Sequence, residues 1–124
     1  MLMMGSMSDY DEILIALRRI TRAIDIHSKR LVKSSGLTAP QLVVLQSLRQ
    51  RGELAPSAIA RVVSLSQATV TSILDRLEAQ KLVERRRSES DRRVVLVGLT
   101  SLGLEKAQGA PELLQAGFLR AFRE

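Results

Sequence analysis

Apolar residues at Ile13, Leu17, Ile20, Ile24 and Leu31 follow a 4-3-4-7 spacing, and His27 fills the vacant position of that seam. The heptad-like period predicts a long helix from about Asp9 to Ser34, with Asp9 as cap and Glu12 completing a capping box. Leu14 and Val32 add a second apolar row. A single helix layer in a small domain cannot cover that much surface, so part of the seam is expected to pack on a partner chain. Ser35-Gly36 ends the helix. Thr38 with Gln41 three residues on then opens a second one, lined by Leu42, Leu45 and Leu48 and stopped by Gly52.

Pro56 suits the first turn of a short third helix with Ile59, Val62 and Val63 inward. Val63-Ser64-Leu65 makes a tight turn, and Ser66 caps a fourth helix. There Val70, Ile73, Leu74 and Leu77 fall at i, i+3, i+4, i+7 and form a buried stripe. Two short helices joined by so short a turn form a helix-turn-helix. Leu82–Arg87 and Val94–Leu99 read as strands of a hairpin whose polar tip is Ser88–Arg93. From Thr100 the pattern is helical again through Leu102, Leu104, Ala107, Leu113, Leu114, Phe118, Leu119 and Phe122, with a break at Gly109 and Pro111. The expected fold is mainly α with a small β-hairpin wing: a winged helix-turn-helix flanked by N- and C-terminal dimerisation helices.

Composition narrows the chemistry. The 124 residues amount to one domain, and with two phenylalanines and one tyrosine its core must be aliphatic. The absence of cysteine and the single histidine leave no material for disulfides, thiolate or multi-histidine metal sites, or a His-based triad. No nucleophile–base pair, carboxylate dyad or phosphate-binding glycine loop suggests an enzyme, and no cofactor is expected. No apolar run approaches the roughly 20 residues of a membrane span. Met1–Met7 lacks the basic start of a signal peptide, so a soluble, cytoplasmic chain is expected, with residues 1–8 read as a disordered or tag-like N-terminus.

The net charge of +6 fits a polyanionic partner, and its distribution is more informative than its size. Six Lys/Arg against three Asp/Glu lie between Lys81 and Arg93, whereas residues 9–17 carry only acidic charges. With the stripe of the fourth helix buried, helical geometry turns Ala68, Thr71, Ser72, Asp75 and Arg76 outward, with Gln67 and Thr69 at the flanks. Small side chains allow approach to the major-groove floor. Gln67 can pair with an adenine edge, Thr71 and Ser72 can donate or accept, Ala68 or a threonine methyl can touch thymine, and Arg76 can reach guanine or phosphate. On the hairpin, Arg93 suits the negative potential of a minor groove, while Arg92 and Arg85–Arg87, Arg86 among them, suit phosphates. The plainer reading of the arginine run is a solvated strand edge that discourages aggregation.

Several segments in order resemble the multiple-antibiotic-resistance regulator (MarR) family of winged-helix transcription factors. They are Leu37-Thr38 with Gln41, Ala55–Ala60, Ser66–Thr71, Leu74-Asp75-Arg76-Leu77-Glu78, Leu82–Arg85, Asp91-Arg92-Arg93 and Val97–Thr100; the resemblance covers roughly residues 10–120. It implies a dimerisation helix over 9–36, a DNA-binding domain over 37–100 and a C-terminal dimerisation helix over 101–124 that stops short of the family's usual further helix. It also implies that Asp91 orients Arg93, and that a recognition helix over 66–80 and a wing over 85–95 read the major and minor grooves. Repression relieved by a small aromatic or phenolic effector is implied too, with His27 beside the effector pocket. A lone histidine on an apolar seam is more often a packed side chain.

The chain departs from the family pattern at Ala55, where a hydroxyl cap is usual, and at Ser64 and Lys81, where glycine is usual. Ser72 stands where many members carry arginine. Ile13, Leu17 and Ile20 with Leu114, Phe118 and Phe122 are expected to form the interface of a homodimer on a pseudo-palindromic operator of double-stranded DNA. The competing expectation is a protein-interaction module, or a short form that titrates related regulators by heterodimerisation.

Overall fold

The computed structural model describes residues 8–124, so the expected 1–8 segment lies outside the described residues except for Ser8. Ser8 is part of the fold. Its Oγ accepts the Asp11 backbone N–H and caps α1 (Asp9–Ser35), one residue earlier than the expected Asp9 cap. Asp9, Asp11 and Glu12 then lie in the first turn, where carboxylates complement the helix dipole. Gly36, at φ 76°, closes the helix in the left-handed conformation.

Helix α2 (Ala39–Arg51) begins with the full Thr38–Gln41 capping box. It is the centre of the molecule. Leu42, Val44, Leu45 and Leu48 are buried, because α2 packs against α3 (Pro56–Val63), α4 (Gln67–Ala79), α5 (Ser101–Gln108) and the hairpin. A helix enclosed on so many sides needs apolar residues on more than one face. Ile59 from α3 and Val70, Ile73, Leu74 and Leu77 from α4 complete an aliphatic core.

Two turns depend on left-handed residues that are not glycine. Ser64 (φ 57°) joins α3 to α4, and Lys81 (φ 64°) follows α4. At the second, Lys81 N–H bonds the Glu78 carbonyl and Leu82 N–H bonds that of Leu77, each at 2.9 Å. Those two bonds, with Leu77 and Leu82 both buried, make a Schellman stop strong enough to hold a lysine where glycine is preferred.

Strands β1 (Val83–Arg87) and β2 (Val95–Leu99) pair antiparallel, Val83 opposite Leu99 and Arg87 opposite Val95. Each is one residue shorter at its start than the sequence pattern suggests. A third element joins them: Leu54 exchanges both backbone hydrogen bonds with Val97, at 3.1 and 2.8 Å. A single bridging residue carries no periodic signal, so it escapes sequence reading. It ties the hairpin base to the α2–α3 loop.

After β2, Thr100 caps α5, while Thr100 Oγ1 donates to the Lys81 carbonyl. The expected break falls at Gly109, the C-cap at which α5 stops after Gln108, and beyond Pro111 a π-type stretch (Glu112–Ala116) leads into α6 (Gly117–Arg123). Inserting a π turn rotates the following residues around the axis, and α6 lies against α1. Gly103, Ala107 and Ala110 are buried, whereas Leu102 and Leu104 face outward.

The seam on α1 divides. Ala23, His27 and Leu31 are buried against the chain itself, which places Leu31 in the internal core rather than at an interface. Upstream of Ala23 no residue of α1 is buried, and Ile13, Leu17 and Ile20 are 58%, 53% and 39% exposed. This N-terminal half projects about 20 Å at 1.5 Å per residue. Leu114, Phe118 and Phe122 are half-buried: Leu114 lies against the core, and Phe118 stacks on Phe122 with ring centroids 6.2 Å apart. The guanidinium of Arg19 covers the Phe122 ring at 4.6 Å.

Candidate nucleic-acid interface

The axes of α3 and α4 bend by 111° across the Ser64–Ser66 turn, which lets α4 present one side to solvent while its stripe stays in the core. Ser66 Oγ accepts the Thr69 N–H at 3.1 Å and sets the start of that face. Gln67, Ala68, Thr69, Thr71, Ser72, Asp75 and Arg76 are all exposed. Ala68, Thr69, Ser72 and Arg76 line an open groove whose other wall is Thr38, Pro40 and Gln41 at the start of α2. With no large side chain between Ala68 and Ser72, the backbone of α4 is accessible to a base edge.

At the hairpin tip, Asp91 accepts three bonds from Arg93: the backbone N–H at 3.1 Å, Nε at 3.0 Å and Nη2 at 3.1 Å. The Arg93 guanidinium holds the Asp91 carboxyl below the usual carboxylate range, and the pair keeps Arg93 charged. The Arg93 side chain is nonetheless 90% exposed. An exposed, oriented guanidinium at a hairpin tip suits a narrow minor groove. Arg92 is exposed beside it, and Arg87 donates to the Arg92 carbonyl at 3.1 Å, bracing the tip.

The other arginines of the run are engaged at the base of the hairpin. Arg86, an expected phosphate contact, has its Nε and Nη2 on the two carboxylate oxygens of Glu53 at 2.7 and 2.5 Å. That contact lowers the Glu53 pKa and raises that of Arg86. Arg85, on the opposite face of β1, bridges Glu78 (2.6 Å) and Asp75 (2.9 Å) on α4. Pairs this far along the chain, and on different elements, have no local pattern that would reveal Glu53, Asp75 or Glu78 as partners.

His27 is buried, and its Nε2–H donates to the Leu113 carbonyl at 2.7 Å. Its ring meets Phe118 edge-on, and Gly117 makes room for it, since a Cβ there would lie 2.9 Å from Nε2. The recess that His27 lines with Arg30, Leu31, Ser34, Leu113, Gly117 and Arg120 has a volume of about 60 Å³. Ligand sites are typically about 300 Å³ or more, so within one chain this histidine docks α6 on α1 and opens onto no ligand-sized cavity. Among the described residues no group of three or more His, Cys, Asp or Glu is placed to hold a metal, and no single helix is long and apolar enough to cross a membrane.

A helix-turn-helix whose exposed second helix stands beside a braced basic hairpin defines a winged helix-turn-helix protein. The MarR family model matches residues 37–95, and the chain belongs to the MarR family. It is 34% identical over 92 residues to the transcriptional repressor MdtR of Bacillus subtilis, a match covering 74% of this chain and 59% of that protein. Among solved structures it resembles BpsR of Bordetella bronchiseptica, whose DNA binding is regulated by 6-hydroxynicotinic acid. That match has a TM-score of 0.78 and 30% identity, and covers 94% of this chain and 84% of the other. A mutant MarR from E. coli complexed with operator DNA matches with a TM-score of 0.73 and 25% identity, covering 94% and 85%. The chain spans about three fifths of the length of the curated relatives that it matches, 59% for MdtR and 64% for MhqR of Bacillus subtilis.

Proposed function

We propose that this chain is a sequence-specific regulator of transcription that binds double-stranded DNA as a homodimer in the cytoplasm. In this reading α4 enters the major groove through Gln67, Ala68, Thr69, Thr71, Ser72 and Arg76. Arg93, aimed by Asp91, enters the adjacent minor groove, and Arg92 contacts phosphate. The observation that carries it is the juxtaposition of the exposed small-residue face of α4 with a hairpin tip where Asp91 holds Arg93 by two guanidinium bonds and one backbone bond. The relatives support it, because MdtR is named a transcriptional repressor and the MarR complex contains operator DNA.

The exposed seam Ile13, Leu17 and Ile20 supplies the dimer face, continued by Leu114, Phe118 and Phe122. A two-fold dimer would put its recognition helices about one DNA turn, roughly 34 Å, apart and so read a pseudo-palindrome. By analogy with BpsR, a small aromatic acid releases the DNA. Its site would lie outside the narrow recess at His27, in space that a second protomer completes.

The test is selection of duplexes from a randomised pool by the full chain, followed by mass measurement. Enrichment of an inverted repeat with half-sites one turn apart, lost in Arg93→Ala and in the monomeric Leu17→Lys variant, is the expected result. Recovery of unrelated sequences by the wild-type chain would sink the proposal. DNA release on titration with 6-hydroxynicotinic acid or salicylate addresses the effector part separately.

A further inference from the structure

The run holds five arginines, 85, 86, 87, 92 and 93, and the structure gives them unlike surroundings. Arg85 and Arg86 point to opposite faces of β1, as neighbours in a strand must. Arg85 forks across Asp75 and Glu78 of the recognition helix, and its side chain is only 25% exposed. Arg86 forks onto Glu53, next to the Leu54 that pairs with Val97. The Glu53 side chain lies over Gly98, where a Cβ would stand 3.1 Å from Cγ, so the strand opposite Arg86 is shaped to admit it.

We infer that Arg85 and Arg86 are positioning residues that clamp the hairpin base from both faces, one to the recognition helix and one to the α2–α3 loop, and are not phosphate contacts. The clamp sets the distance between α4 and the wing tip. Arg85 also neutralises two carboxylates on the helix that approaches DNA, where their negative charge would otherwise repel the backbone. Arginine is required for this, since its planar fork spans two acceptors at once, whereas a phosphate contact tolerates lysine.

The clamp itself belongs to the free chain; only its effect on affinity rests on the DNA-binding reading. In the free chain, Arg85→Lys and Arg86→Lys are expected to speed amide exchange across Arg85–Arg87 and Val95–Val97 several-fold, while the exchange of α2 stays unchanged. Unchanged exchange in the hairpin would overturn the clamp. On a duplex selected by the wild-type chain, both lysine variants are expected to bind about tenfold more weakly with the wild-type salt slope, because no phosphate contact is lost. Glu53→Gln should copy Arg86→Lys. If the lysine variants bind like wild type, the alanine variants lower the slope by about 0.9 per lost contact, and Glu53→Gln tightens binding, both arginines are phosphate contacts and the inference is wrong. A wild-type chain that selects no duplex would remove the DNA-binding proposal and leave the exchange result standing.

Discussion

Gly103→Ala sets two well-understood effects against each other. Gly103 lies in the first turns of α5, where helix propensity favours alanine over glycine by about 1 kcal/mol. A Cβ at that position would stand 1.9 Å from the Leu82 carbonyl oxygen and 2.9 Å from its carbon, both backbone atoms. Since real Cβ contacts essentially never fall under 3.0 Å, α5 would have to retreat by more than 1 Å. The retreat acts on the junction that hangs α5 from the hairpin. The Thr100 N–H bonds that same Leu82 carbonyl at 3.1 Å, and Thr100 Oγ1 bonds the Lys81 carbonyl at 2.7 Å. Losing both costs about 2 kcal/mol. Loosening the buried Leu82 and Ala107 adds about 2 kcal/mol on the scale of small core defects. The net expectation is a loss of about 3 kcal/mol after the propensity gain is counted. Urea denaturation at fixed protomer concentration, followed by circular dichroism, reads it as a lower midpoint with an unchanged slope. A midpoint equal to or above that of wild type would show that α5 does not rest on Leu82 as described.

Lys81→Gly should stabilise the chain by about 0.5–1 kcal/mol, because relief of the left-handed strain exceeds the added freedom of the unfolded chain; a fall in urea midpoint would contradict it. His27→Leu leaves the Leu113 carbonyl without its donor and should cost about 1–3 kcal/mol, seen as a lower midpoint, whereas an unchanged midpoint would mean that the bond contributes nothing. The Asp91 and Glu53 carboxyls are both held low by guanidinium partners, so their contribution is present above the ordinary carboxylate range and lost as pH falls through the lowered values. Protection factors in the hairpin should therefore be flat from about pH 8 to 5 and decline below about pH 4, with the decline blunted in the Asp91→Asn, Glu53→Gln double variant. A transition centred near neutrality would exclude these carboxylates as its cause.

The parts of this molecule that are legible in its sequence are those with a local period or a local partner. Val70, Ile73, Leu74 and Leu77 repeat at helical spacing and are all buried, so the outward set from Gln67 to Arg76 follows by geometry alone. Thr38 and Gln41 are three positions apart and form their capping box within the helix start. Asp91 and Arg93 are two residues apart, close enough for one turn to join them.

What depends on distance in sequence was decided only by the fold. Leu54 meets Val97 across the α2–α3 loop, and Glu53 meets Arg86 over 33 positions, so a run that reads as one predominantly basic stretch divides into an engaged base and an exposed tip. The α1 seam is one stripe in the sequence, yet its His27 and Leu31 are buried while Ile13, Leu17, Ile20 and Ile24 stay exposed, because α6 covers only the later part. Residue type and spacing determine which face of an element is apolar and where charge collects. Which of those faces and charges remain available to a partner is set by the elements that the chain brings back against them.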